Sequence, residues 1–250
     1  MALLEVEGLK KAYHRRVVVD GVSFAVEAGV IVGLLGPNGA GKTTSFRMTI
    51  GMIPSDGGRV IFDGKDVSRD PMFRRARQGM GYLSQEASVF RRLSVWDNVM
   101  AILELIRMPP AARRKRCEQL LERMGILQLS KSLACNLSGG ERRRLEIARA
   151  LVTNPRMILL DEPFSGVDPK AVQEIQGIVM ELRREGIGIL VTDHNVHDTL
   201  SVTDHSFIIS GGRIEAAGTP QELLSNPRAR ELYFGDRLQI GHIARPGGEA

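Results

Sequence analysis

The segment Gly36-Pro37-Asn38-Gly39-Ala40-Gly41-Lys42-Thr43 has the spacing G-x-x-x-x-G-K-[ST]. Glycines in such a run let backbone N–H groups wrap phosphate oxygens, and a helix N-terminus behind them adds a favourable dipole. Lys42 would reach the outer phosphates of a nucleoside triphosphate as a point charge, and the Thr43 hydroxyl would bind Mg²⁺. Asn38, Gly39, Ala40, Gly41 and Thr44 complete the expected phosphate contacts. A second constellation is Asp161-Glu162, at the end of the apolar run Met157-Ile158-Leu159-Leu160. Asp161 suits Mg²⁺, directly or through water, and Glu162 is placed to act on a water beside the γ-phosphate.

These groups need strands and helices that end where the chemistry is. Val30-Ile31-Val32-Gly33-Leu34-Leu35 reads as a buried parallel strand feeding the loop, and a helix follows from Lys42 towards Gly51. The first thirty residues look antiparallel, and Arg59 to Phe62 with Asp63-Gly64 reads as another strand and turn. Gly79 to Ser84 is a further strand with Gln85 at its end. Residues 94 to about 152 turn helical: Val95, Val99, Ile102, Leu103 and Ile106 repeat at helical spacing behind a Ser94 cap, and Pro109-Pro110 separates a second helix. Strands return at Met157 to Leu160 and Ile187 to Val191, then a hairpin around Gly211-Gly212. Thr219-Pro220-Gln221-Glu222 is a capping box that opens a helix. The picture is an α/β nucleotide-binding core with a helical lobe inserted in its middle.

Composition fits one large domain or two lobes: 250 residues, 43% hydrophobic and 25% charged. No run approaches the roughly 18 apolar residues of a membrane-spanning helix, and the N-terminus lacks a signal-peptide layout. Cys117 and Cys135 have no metal-type spacing, so reduced cysteines in a cytoplasmic protein are expected. The net charge of +5 is carried mostly by arginine, in clusters such as Arg74-Arg75-Ala76-Arg77, Arg113-Arg114-Lys115-Arg116 and Arg142-Arg143-Arg144. The ordinary reading of such clusters is a solvated helix face paired with acids; proximity to anionic lipid comes second.

Other motifs resemble the nucleotide-binding subunit of ATP-binding cassette (ABC) transporters, over essentially residues 3 to 240. Leu137-Ser138-Gly139-Gly140-Glu141 is similar to the cassette signature, and Ser138 with Glu141 also makes a capping box. Gln85 resembles the family's glutamine-loop residue, which contacts Mg²⁺ and senses the permease. Ser165-Gly166-Val167-Asp168 resembles the loop that crosses the dimer interface, with Asp168 also a helix cap. His194 resembles the switch histidine at the γ-phosphate, and Tyr13 the aromatic that stacks on adenine. Val30, Ser84 and Val167 depart from the common pattern, and none is a phosphate contact. The resemblance implies a P-loop, RecA-like, mostly parallel sheet core with an N-terminal antiparallel β subdomain and an inserted α-helical subdomain. It implies a single ATPase domain over 1–240, with the core at 1–90 and 153–240, the helical subdomain at 91–152 and a disordered tail at 241–250. It further implies ATP and Mg²⁺ as ligands, and a homodimer that sandwiches ATP between the P-loop of one copy and the signature of the other.

Three longer strings narrow the resemblance: residues 81 to 95, 161 to 169 and 192 to 196. They closely resemble the ATPase of the lipopolysaccharide export system of Gram-negative bacteria. The alternative is the ATPase of a branched-chain amino-acid importer, and a remoter one is a nucleic-acid- or ribosome-associated cassette. The export reading implies two separate transmembrane permease subunits and a site on the cytoplasmic face of the inner membrane, reached through the permease, with no nucleic acid. It also implies that Phe90, Arg91 and Leu93 line the groove that receives a short permease helix, a composition suited to a protein interface.

Overall fold

The computed structural model describes residues 2–234. The tail expected at 241–250, and the last residues of the domain expected to reach 240, lie outside the described residues. Along the chain run β1 (Leu4–Tyr13), β2 (Arg16–Val26), β3 (Ile31–Leu35), α1 (Lys42–Ile50), β4 (Gly57–Phe62), β5 (Lys65–Asp66), α2 (Met72–Arg77) and β6 (Met80–Leu83). The helical stretch follows as α3 (Val95–Leu103), α4 (Pro110–Arg123) and α5 (Gly139–Leu151). Then come β7 (Met157–Asp161), α6 (Pro169–Arg184), β8 (Gly188–Thr192), α7 (Val196–Leu200), β9 (His205–Ser210), β10 (Arg213–Gly218) and α8 (Pro220–Ser225).

Two sheets result. One is four-stranded, antiparallel throughout, in the order β2-β1-β4-β5. The other is six-stranded, in the order β10-β9-β3-β8-β7-β6, parallel except for the terminal hairpin of β9 and β10. Every residue of β3, β7 and β8 is buried, which explains their nearly unbroken apolar runs. Alternation along those runs assigns each side chain to one face. Ile31, Ile158, Leu160, Ile189 and Val191 join the apolar cluster shared with α3, α4, α5 and α6. Val32, Leu34, Met157, Leu159 and Leu190 join the cluster beneath the antiparallel sheet and α1. The helical stretch therefore shares its core with one face of the parallel sheet. Truncating one such leucine or isoleucine to alanine costs about 2–5 kcal/mol.

Local signals set most boundaries. Ser94 caps α3 by accepting the Asp97 amide at 3.0 Å. The apolar repeat continues to Ile106, but α3 ends at Leu103. Leu105 and Ile106 instead make tighter bonds to the carbonyls three residues back, before Pro109 excludes further helix. Strand order then fixes the site. The carboxyl ends of β3, β8, β7 and β6 lie side by side, and they lead into residues 36, 193, 162 and 84 respectively. Ligands of parallel sheets bind at that edge.

Candidate active site

The loop between β3 and α1 is shaped by its glycines. Gly36 has φ 147°, and a Cβ there would lie 2.1 Å from the Ile209 carbonyl oxygen. Gly41 has φ 108°, and a Cβ would come within 2.7 Å of the Val18 oxygen. Only glycine lets the loop lie this close to β9 and β2. Asn38 and Gly39 are exposed, Ala40 is buried, and Thr43 and Thr44 are half-buried in the first turn of α1. That turn has no side-chain cap and no acidic residue, so its amides are not engaged by a carboxylate or hydroxyl cap. Lys42 is buried and donates to the carbonyls of Gly36 at 2.6 Å and Pro37 at 2.9 Å. Burial pushes its ammonium pKa down, while the Glu162 and Asp161 carboxylates oppose that shift.

Asp161 ends β7 and is 1% exposed. Its Oδ2 accepts from the Tyr82 hydroxyl at 3.2 Å, but its Oδ1 is buried without a hydrogen-bond partner. Burial pushes the carboxyl pKa up, and the neighbouring Glu162 charge adds to this, against the Tyr82 bond. A buried, unpartnered carboxylate oxygen beside a phosphate loop is what a hard cation would satisfy. The Thr43 hydroxyl and the Gln85 side-chain carbonyl are oxygen donors of the same hard type, so the chemistry of these residues fits Mg²⁺.

Glu162, 7% exposed, takes a left-handed backbone with φ 49°. A non-glycine residue there stores about 1 kcal/mol or more of strain and is typical of functional turns. Its amide donates to the Thr192 carbonyl at 2.7 Å. The carboxylate is held at both oxygens: Gln85 Nε2 donates to Oε2 at 2.8 Å, and His194 Nε2 lies 2.6 Å from Oε1. Three residues remote in sequence, Gln85, Glu162 and His194, thus meet at the ends of β6, β7 and β8.

Other expected residues lie elsewhere. Ser138, Gly139 and Gly140 open α5, where Ser138 Oγ accepts the Glu141 amide and Glu141 Oε2 accepts the Ser138 amide at 2.8 Å. A Cβ on Gly140 would lie 2.5 Å from that of Ala171, so this turn packs against the start of α6. Asp168 caps α6 by accepting the Ala171 amide at 3.1 Å. Tyr13 ends β1, exposed, with the Lys11 ammonium 5.5 Å from its ring centroid. None of these shares a hydrogen bond with Gln85, Glu162 or His194 among the described residues. Phe90, Arg91 and Leu93 are exposed on the loop before α3. The Arg149 guanidinium sits 4.7 Å from the Phe90 ring centroid.

Sequence reasoning missed several supporting groups. Asp193 is buried and accepts the amides of Phe164 at 2.9 Å and Asn195 at 3.0 Å, which shapes the turn bearing His194. Tyr82 bears on Asp161, and the Thr192 hydroxyl ties β8 to the Leu34 carbonyl at 2.7 Å. The arginine clusters are not uniformly solvated. Arg75 is 2% exposed and donates to the carbonyls of Met48, Thr49, Ser68 and Asp70. Arg143 is buried too, against the loops after β6 and β7. Most of the carbonyls that receive them belong to segments 18 to 59 positions away, so no local pattern marks them.

The family model described as ABC transporter matches residues 19–165. The lipopolysaccharide export system ATP-binding protein LptB of Haemophilus influenzae is 48% identical over 241 residues, covering 96% of this chain and all of that protein. LptB of Escherichia coli K12 is 51% identical over 241 residues, covering the same shares. Among solved structures, the ADP conformation of MJ1267, an ATP-binding cassette of an ABC transporter, superposes with a TM-score of 0.85 at 31% identity, covering 94% of this chain and all of that one. With a phosphate loop, two adjacent carboxylates and a glycine-bearing signature turn on the same framework, the chain belongs to the ABC transporter family, as one of its ATP-binding subunits.

Proposed function

We propose that this chain is the ATP-hydrolysing subunit of an ABC transporter that extracts and exports lipopolysaccharide. It works as a homodimer bound to two permease subunits on the cytoplasmic face of the inner membrane. Identity near one half to two lipopolysaccharide-export ATPases, over 96% of the chain, supports the substrate class. No described helix is long and apolar enough to cross a membrane, in keeping with a separate permease.

The observation that carries the hydrolytic reading is the buried Glu162 carboxylate held between Gln85 and His194. The loop amides and Lys42 bind the β- and γ-phosphates, and Tyr13 stacks on adenine. Glu162 orients a water and takes its proton as the water oxygen bonds to the γ-phosphorus. The bond from that phosphorus to the bridging oxygen breaks, leaving ADP and phosphate. His194 contacts the γ-phosphate, so its bond to Glu162 ties proton acceptor and phosphate sensor together. Mg²⁺, held by Thr43, Gln85 and Asp161, would supply charge neutralisation on the phosphate oxygens. Ser138, Gly139 and Gly140 of the second copy, with Asp168 crossing the interface, complete the site. Phe90, Arg91 and Leu93 form the docking surface for the permease.

The test is a Glu162→Gln variant, expected to bind ATP while losing about 10²–10⁴ in turnover. Near-normal hydrolysis would remove Glu162 from the mechanism. Purified with ATP from detergent-solubilised membranes, the variant should bring lipopolysaccharide-export permeases with it. Amino-acid permeases, or nucleic acid and ribosomes, would overturn the assignment of the cargo.

A further inference from the structure

Helix α5 begins at the signature turn, and its buried face carries Arg143 and Glu146, 6% and 4% exposed. All five N–H donors of the Arg143 guanidinium are used. Nε donates to Pro163 O at 3.3 Å, and Nη2 to Asp161 O at 3.0 Å and Glu162 O at 3.1 Å. Nη1 donates to Ser84 O at 2.8 Å and to Glu146 Oε2 at 2.9 Å. Arg143 therefore grips the backbone on both sides of Glu162 and the residue before Gln85. The other Glu146 oxygen, Oε1, accepts the Ser88 amide at 3.0 Å. One turn further on, Arg149 donates to the Ser88 carbonyl and covers the Phe90 ring.

We propose that Glu146 is a positioning residue for hydrolysis, which joins the loop at residues 88–90, with Ser88 and Phe90 exposed and Val89 buried, to the backbone of Glu162 through Arg143. The physical case has three parts. A buried carboxylate bonded at both oxygens has a single orientation, so Ser88 and Arg143 cannot shift independently. The guanidinium is planar and rigid, so a displacement at Glu146 tilts the whole fork and reaches the Asp161 and Glu162 carbonyls. Glu162 sits in a strained left-handed backbone that the surroundings must hold, and its carbonyl is one of the groups held. The pair is local to α5, so displacement of the loop by a docked permease would reach the catalytic carboxylate without first moving the phosphate loop. This rests on the assignment of Glu162 as proton acceptor given above.

The experiment compares full-length wild type and Glu146→Gln, with and without the permease. It measures kcat and KM for ATP per nucleotide-binding site, with thermal midpoint alongside. Glutamine keeps the size and the Ser88 contact but removes the charge that orients Arg143. The expected result is a kcat loss of about 10- to 100-fold with the KM for ATP within about twofold. Stimulation by the permease should be lost in the same variant. A residue that only supports folding would lower the thermal midpoint and the number of competent sites, leaving kcat per site unchanged. That outcome, or unchanged stimulation, overturns the proposal. If Glu146→Gln does not fold, Arg143→Lys takes its place, because a single ammonium cannot span these carbonyls; unchanged kcat there overturns it equally. Failure of the Glu162 reading would show separately, as turnover surviving Glu162→Gln.

Discussion

The N-terminus of α1 and the N-terminus of α5 both present glycine-rich backbone, yet their donors are committed differently. At α1 the turn has no side-chain cap and no acid, and Lys42 stands beside it. At α5 a capping box is complete, and the Glu141 carboxylate accepts both the Ser138 amide and the Ser138 hydroxyl at 2.8 Å. Those bonds hold the Glu141 carboxyl pKa below its usual range. An anion is favoured at either helix start. At α1 it meets open donors, whereas at α5 it must share Ser138 with a carboxylate already in place. The first is a binding site within one chain. The second is a stable helix start, which under the proposed function receives phosphate only from a nucleotide held by the partner copy.

The largest test of this contrast is Lys42→Met, which removes the cation of the open site. Loss of about 10²–10³ in ATPase turnover, with weakened ATP binding in a direct titration, is expected. Retained affinity would mean that the loop amides suffice. Asp161→Asn should also lower turnover supported by Mg²⁺, by about 10²-fold, yet raise the thermal midpoint without Mg²⁺ by about 3 °C, since it removes a buried negative charge whose Oδ1 has no partner. Because the folded pKa is raised, wild-type Asp161 costs stability above that pKa; the gain should shrink as pH falls through the raised pKa and be gone below the ordinary aspartate value of about 3.9. A midpoint that falls at neutral pH would contradict this account. Ser138→Ala should lower the midpoint by the cost of a lost cap, about 1 kcal/mol, and turnover by roughly tenfold, with ATP binding to the isolated chain intact. Weakened binding in the monomer would erase the distinction between the two turns. The smallest effect is expected for Glu141→Gln, which removes the competing charge but keeps an acceptor. The KM for ATP should fall by about two- to threefold, at a stability cost of about 0.5 kcal/mol; an increase in KM would mean that Glu141 helps rather than competes.

Much of the framework was legible because its signals are contiguous. The phosphate loop, the caps at Ser94, Asp168 and Thr219 and the box at Ser138 depend on residues a few positions apart. Buried strands were legible as apolar runs, since both faces of β3, β7 and β8 are covered. The meeting of Gln85 with Glu162, across 77 positions, was not legible: family resemblance placed Gln85 at Mg²⁺, and spacing alone does not state which strands are neighbours. Arg75 and Arg143 were misread as solvated for a related reason. Charge runs look alike whether carbonyls or water receive the guanidinium, and the receiving carbonyls of Arg143 belong to residues 18 to 59 positions away.

By itself the sequence determined where backbone donors are left open and where they are capped, because glycine conformation and capping act within a turn or two of chain. It also determined that a phosphate ligand and two carboxylates belong to the chain. Only the tertiary structure decided that the ends of β3, β8, β7 and β6 lie abreast, and so which side chains surround Glu162. It likewise decided that Asp161 keeps one oxygen unpartnered and that Arg143 spends four of its five donors on the backbone around Glu162 and before Gln85. Those outcomes depend on strand order and on burial by distant segments, which sum over the whole core and leave no mark at any one position.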